Sequence, residues 1–119
     1  MLRNVIVGVS FLVALFAIGC GSDVGNDGAS VGGDCAAASD CSVLARCLTG
    51  APWPGGYCAT ACDSDADCPG GSVCAETDMG ICVVACAGAG DCRADDGYSC
   101  VEFQSRGAGG VVNGCALAP

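Results

Sequence analysis

The chain contains neither histidine nor lysine in its 119 residues. Those two absences remove Ser-His-Asp and Cys-His catalysis, His-bearing metalloprotease sites, Schiff-base chemistry and the phosphate-binding lysine of a P-loop, each of which depends on one of the missing side chains. Positive charge is scarce altogether, with four arginines against 13 acidic residues and a formal charge of −9. Nucleic acid is therefore not an expected partner, because phosphate binding needs clustered cations. Large apolar side chains are short as well. The 86 residues of 34–119 include only 12 Leu, Ile, Val or Phe, roughly 14% against the ~20% below which a charged chain tends to stay disordered. Sustained helical periodicity is missing too, apart from one possible turn at 42–46. What the chain has instead is cysteine and glycine, 13 and 20 residues respectively.

The first twenty residues stand apart from the rest. One arginine, Arg3, precedes an apolar run over 5–18, the size of a signal-peptide core and short of the ~20 residues of a membrane span. The run closes on Ala17-Ile18-Gly19-Cys20. This resembles the bacterial lipobox, in which a small residue precedes a cysteine that is lipidated and becomes the mature N-terminus. Ala17 departs from the leucine usual three positions before that cysteine. The resemblance implies a signal peptide over 1–19, a lipid on Cys20 and membrane attachment through that lipid. Under the lipoprotein sorting rule, Gly21 in place of aspartate fits delivery to the outer membrane. Cysteine parity points the same way, since an odd cysteine in an exported protein asks for an explanation and removing Cys20 leaves twelve that can pair. Residues 20–33 then read as the lipidated cysteine and a flexible tether, with five glycines and two aspartates in 21–33, spanning about 20 Å as a Gly-rich coil.

Residues 34–119 form a cysteine-rich domain of three similar blocks. Block 35–58 carries Cys35, Cys41, Cys47 and Cys58; block 62–82 carries Cys62, Cys68, Cys74 and Cys82; block 86–115 carries Cys86, Cys92, Cys100 and Cys115. Aspartate precedes each second cysteine (Asp40, Asp67, Asp91), and glycine falls one or two residues before each fourth (Gly56, Gly80, Gly114). Such coincidences mark an internal repeat. With so little to bury, the domain must be held by cross-links that shrink the unfolded ensemble, each loop of about 15 residues contributing roughly 3 kcal/mol. Four cysteines allow three pairings. Repetition favours pairing within a block, first to third and second to fourth, as in Cys62 with Cys74 and Cys68 with Cys82.

The expected fold is small, disulfide-rich, irregular and β-leaning, with three hairpin-like modules in series. Strands are expected at Tyr57–Thr60, Ile81–Val84, 99–103 and 110–112, where β-branched or aromatic residues lie between glycine-rich turns. Pro54-Gly55-Gly56 and Pro69-Gly70-Gly71 are turn signals. The aromatics Trp53, Tyr57, Tyr98 and Phe103 are expected over disulfides or half exposed.

Candidate sites are few. No two cysteines stand closer than four positions, so the tight knuckles of zinc sites are missing, as is a redox C-x-x-C. Asp63, Asp65 and Asp67 alternate like the first half of an EF-hand loop, but Cys68 and Cys74 occupy its glycine and glutamate positions. Weak calcium binding is one reading; a solvated turn in which Asp67, like Asp40 and Asp91, caps the following cysteine segment is the other. Asp95 and Asp96 are adjacent, point apart and suggest no acid–base pair. Arg46, Arg93 and Arg106 look too scattered for an anion site. No cofactor, metal ion or enzymatic activity is expected. Exposed Trp53, Pro54 and Tyr57 on the longer loop of the first block would mark a protein-binding module; without them a structural surface coat is the rival.

The stretch Cys62-Asp63-Ser64-Asp65-Ala66-Asp67-Cys68-Pro69-Gly70-Gly71-Ser72-Val73-Cys74 resembles the cysteine-rich repeat of the Dickkopf N-terminal type and is similar to part of the four-disulfide-core (WAP) domain. The resemblance extends over about 80 residues when the two weaker blocks are counted, and such repeats occur in exported lipoproteins of Gram-negative, especially delta-proteobacterial, bacteria. The adjacent cysteine pair of the WAP core is missing, so protease inhibition is not implied, and a shared scaffold carries no receptor-signalling role.

Overall fold

A computed structural model describes residues 23–117; the expected signal peptide over 1–19 and the expected lipidation site Cys20 lie outside the described residues. The domain is three antiparallel hairpins, the first two preceded by one 3-10 turn and the third by two. Strands β1 (Ala45–Leu48) and β2 (Tyr57–Thr60) form the first, β3 (Ser72–Ala75) and β4 (Ile81–Val84) the second, β5 (Tyr98–Gln104) and β6 (Val111–Leu117) the third. The 3-10 turns are Ala38–Asp40, Asp65–Asp67 and Ala89–Asp91, with a fourth at Ala94–Asp96. This is the small, disulfide-rich, β-leaning architecture that the composition demands.

The repeat has one geometric rule. The third and fourth cysteines of each block face one another directly across the hairpin: Cys47 opposite Cys58, Cys74 opposite Cys82, Cys100 opposite Cys115. Directly opposed residues of an antiparallel pair project to the same face. They do not bond to each other; each reaches back to the segment carrying the 3-10 turn. The bridges are Cys35–Cys47, Cys41–Cys58, Cys62–Cys74, Cys68–Cys82, Cys86–Cys100 and Cys92–Cys115, first to third and second to fourth in every block. Two side-by-side bridges thus clamp one turn onto one hairpin face. The first cysteine also adds a backbone rung, with Cys35 N–H donating to Gly55 O, Cys62 N–H to Gly80 O and Cys86 N–H to Asn113 O.

The glycine before the fourth cysteine answers two different needs. Gly56 (φ +78°) has left-handed backbone, and a Cβ there would collide with the carbonyl of Cys35. Gly114 has no positive φ; a Cβ there would run into Val83 of the second module and the ring of Phe103. One glycine serves a turn, the other a close approach between modules.

Several sequence expectations are corrected. The possible helical turn at 42–46 is a single hydrogen-bonded turn at Val43 and Leu44, closed by Ala45 N–H on Ser42 O at 2.9 Å and followed directly by β1, because Cys47 must lie opposite Cys58. Strands β1 and β3 were not expected, and the third hairpin is longer than 99–103 and 110–112. Residues 23–33, expected as part of a tether, are folded against the domain. Val24 and Val31 form a bridge, Val31 is fully buried, and Gly32 N–H and Gly33 O bond to Cys58 O and N–H. Two valines were enough to order a glycine-rich loop once a preformed surface could receive them.

The three modules follow one another in series, as expected, and they also pack together. Isolated bridges tie Ala61 to Ile81, Ala75 to Ser105 and Ala85 to Gly114, so the second hairpin is sandwiched between its neighbours. Beyond this, the first module also meets the third.

Candidate functional site

The first and third modules meet around an aromatic core. Trp53, Tyr57 and Tyr98 stack in succession, with centroids 5.0 and 5.6 Å apart. The Tyr57 hydroxyl accepts the Val84 N–H at 3.0 Å, Tyr98 OH donates to Pro54 O at 2.9 Å, and Trp53 Nε1 donates to Asp78 Oδ2 at 3.2 Å. Burial pushes the Tyr57 phenol up to about 12, partly opposed by that backbone N–H. Burial also raises Tyr98, while the neighbouring Arg93 lowers it. Trp53 and Tyr57 are 8% and 1% exposed. The exposed Trp53–Tyr57 recognition loop considered from sequence is therefore corrected: Trp53 packs on Tyr57 and bonds Asp78, Tyr57 packs on Tyr98, and Pro54 is half-buried.

The three arginines of the described domain are the fasteners between modules, a role the sequence concealed because the partners they reach in other modules lie 30 or more residues away. Arg93, its side chain 9% exposed, stacks on Tyr98 with its guanidinium carbon 4.7 Å from the ring centroid. It donates to Gly32 O at 2.9 Å, Pro54 O at 3.0 Å and Gly56 O at 2.9 Å, and pairs with Asp96 at 3.0 Å. Five fixed donors on a planar group make this convergence possible, where an ammonium could not span it. Arg106 links the third module to Glu76 (3.0 Å) and Asp63 (3.4 Å) of the second, and Arg46 donates to Asp78 O at 3.0 Å. A longer first-block loop ending in Trp-Pro-Gly-Gly was the only sequence hint that something docks there.

The repeated aspartates are structural, and they reach backward. Asp40 accepts N–H groups from Ala36 and Ala37, Asp91 from Ala87 and Gly88, and Asp67 from Asp63. Each closes the 3-10 turn that carries it, leaving the following cysteine segment uncapped by that side chain. These hydrogen bonds hold the Asp40 and Asp91 carboxyls below the usual aspartate range. Asp65 reaches forward instead, accepting Cys74 N–H at 2.8 Å. Asp63, Asp65 and Asp67 are thus turned toward Arg106, Cys74 and the backbone of residue 63 in turn, three separate tasks with no shared focus for a calcium ion. Three cysteine sulfurs in each module lie within 4.8 Å of one another, but all belong to bridges and offer no thiolate.

Two open clefts lie among the described residues. One, of about 470 Å³, is bordered by Asp27, Asp34, Asp95 and Asp96 around Arg93; its acids gather without a focus, and Arg93 is already committed. The other, of about 500 Å³, is lined by Ser30, Ser42, Val43, Leu44, Thr60 and Pro69. Val43 and Leu44, on its rim, are 85% and 86% exposed.

No protein-family model, curated protein or solved structure matches the chain.

Proposed function

We propose that the chain is a cell-envelope lipoprotein, attached through a lipid on Cys20 to the outer membrane, whose exported part is a non-enzymatic, disulfide-knit module that binds a protein or another envelope component. The observation that carries this reading is the cysteine ledger: all twelve cysteines of the domain are paired, and the thirteenth, Cys20, ends an apolar run in the lipobox-like Ala-Ile-Gly-Cys. Disulfides at this density belong to oxidising compartments outside the cytoplasm. The resemblance of residues 62–74 to Dickkopf-type and WAP-type repeats supports a scaffold role and no more, since fold does not carry function. Beyond the signal, three arginines against 13 acids leave a net charge of −10. Attachment by electrostatics to anionic headgroups is therefore disfavoured, and the lipid must provide it.

Against an enzyme, Arg93, Arg106, Asp65, Tyr57 and Tyr98 are already engaged in holding the fold. Intact mass of the mature protein before and after reduction tests the proposal. The expected result is a diacylglycerol-sized increment on the N-terminal peptide and a gain of twelve hydrogens on reduction, two for each of the six bridges. A mature N-terminus without lipid overturns the attachment, and thiols titratable before reduction overturn the oxidised scaffold.

A further inference from the structure

We infer that the turn carrying Val43 and Leu44 is a membrane-contact tip that enters the leaflet holding the Cys20 lipid. The inference rests on the lipid attachment proposed above, and its argument begins with reach. Residues 23–33 are folded onto the domain, so only Gly21 and Ser22 separate Cys20 from Asp23. Three residue steps span at most about 11 Å. A lipid on Cys20 therefore holds Asp23 within that distance of the headgroup layer, where a tether of thirteen residues would have lifted the domain clear.

What lies beside Asp23 is then decided by the fold. Asp23 O accepts the Ser30 N–H at 2.9 Å; Ser30 Oγ bonds Ser42 Oγ at 2.9 Å, and Ser42 N–H donates to Ala29 O at 2.8 Å. The residues that follow Ser42 are Val43 and Leu44. Two hydrogen-bonded steps thus join the point where the chain leaves for the membrane to the most exposed pair of adjacent large apolar residues among those described. In a chain so poor in Leu, Ile and Val, two of them standing in water at a turn is a poor use of scarce material unless something apolar receives them. The cleft behind them has uncharged walls apart from Asp67. An acidic molecule that approaches a membrane does so best by such a face. A bilayer is the occupant that the short connection guarantees to be present.

Tryptophan reporters test this in the full mature protein, acylated and reconstituted in phosphatidylcholine vesicles with brominated acyl chains. Leu44→Trp and Val43→Trp fill exposed positions and leave the core untouched; intact mass confirms six bridges and the lipid before each measurement. Against the signal of Trp53, the added tryptophan is expected to shift to the blue and lose emission to the bromines, most with bromines near the glycerol end. Ala94→Trp, on the exposed 3-10 turn of the third module, is expected to do neither. A protein that carries the lipid yet leaves Trp at 44 unquenched overturns the contact tip and leaves the anchor standing. Absence of the lipid removes both, and mass reports that separately. Equal quenching at 44 and 94 overturns the inference by showing no preferred face, and a concentration-dependent blue shift without vesicles overturns it in favour of a second copy of the chain.

Discussion

The second and third hairpins obey the same covalent rule and differ in nearly everything else. Every residue of β4 is buried, and Cys74, Ala75, Ile81, Cys82 and Val83 have no exposure at all. Along β6 the outer half is open and only Gly114, Cys115 and Ala116 are buried. The cause is position. The strands of the second hairpin are bridged to a neighbour on each side, while those of the third, seven residues long, are bridged to the second alone and run on past the disulfides. In a chain of repeats a module draws its stability partly from its own cross-links and partly from its interfaces. Here the cross-links are nearly constant and the interfaces vary.

That separation can be measured, because Cys68–Cys82 and Cys86–Cys100 enclose loops of the same length, 14 residues apart in each case. Chain entropy gives both bridges about 3 kcal/mol. Replacing Cys86 and Cys100 together by alanine is expected to cost about that much in urea unfolding. Replacing Cys68 and Cys82 is expected to cost about 1 kcal/mol more, since Cys82 is fully buried and its lost sulfur leaves a cavity. Equal losses would mean that burial in the middle of the array adds nothing beyond the cross-link.

The next largest effect concerns the fasteners. Arg93→Ala strips donors from three carbonyls and removes the cation from Tyr98, in a nearly enclosed setting. An expected loss of about 2–3 kcal/mol follows, and Arg93→Lys is expected to recover little of it. Arg106→Ala, whose partners Asp63 and Glu76 have side chains 90% and 52% exposed, is expected to cost below about 1 kcal/mol. With all six bridges intact, thermal unfolding of the two variants ranks the contacts. A larger loss at Arg106 would show that the second and third modules are held by the open ion pairs and not by the docked first-block loop.

These effects also explain what was readable beforehand. The repeat, the twelve bridged cysteines and the strands Tyr57–Thr60 and Ile81–Val84 were legible because cysteine spacing and β-branched or aromatic residues are local signals. Strands β1 (Ala-Arg-Cys-Leu) and β3 (Ser-Val-Cys-Ala) were not, since alanine, arginine and serine have little strand preference. They are strands because a cysteine in each must face its opposite number. The ordering of residues 23–33 was hidden for a related reason, as Val24 and Val31 gain a surface only after β2 and β4 exist. The carbonyl partners of Arg93 lie 37 to 61 residues away in the chain, and no spacing rule reaches that far.

Alkali provides a third comparison, between the aromatic core and the bridges beneath it. The folded Tyr57 phenol titrates at about 12 against an ordinary value of 10.0. A raised value means that the folded state prefers the neutral phenol. The contribution is whole below pH 10 and is lost as pH rises through 12, on the order of 2–3 kcal/mol. Tyrosinate absorbance is expected to show a late titration step, accompanied by release of the Trp53–Tyr57–Tyr98 stack while the bridges still hold each hairpin. Tyr57→Phe should abolish the late step. Its persistence would place the slow phenol at Tyr98.

Acid produces the smallest change, confined to the turns. Asp40 and Asp91, in the outer modules, each accept two backbone N–H groups, whereas Asp67 in the middle accepts one. The carboxyls of Asp40 and Asp91 lie below the ordinary 3.8, so the folded state prefers the ionised form. That contribution is present above the unfolded value and is lost as pH falls through the lower, folded one. Because both groups are open to water and the bridges remain closed, the expected outcome is local: the amides of Ala36 and Ala87 lose protection in acid with the hairpins unchanged. Carboxyl carbon shifts followed by NMR should titrate below the usual aspartate range at 40 and 91. Asp40→Asn and Asp91→Asn should remove the pH dependence from those amides. Ordinary titration at both positions would mean that the turns are set by their cysteines alone, with the repeated aspartate contributing nothing to them.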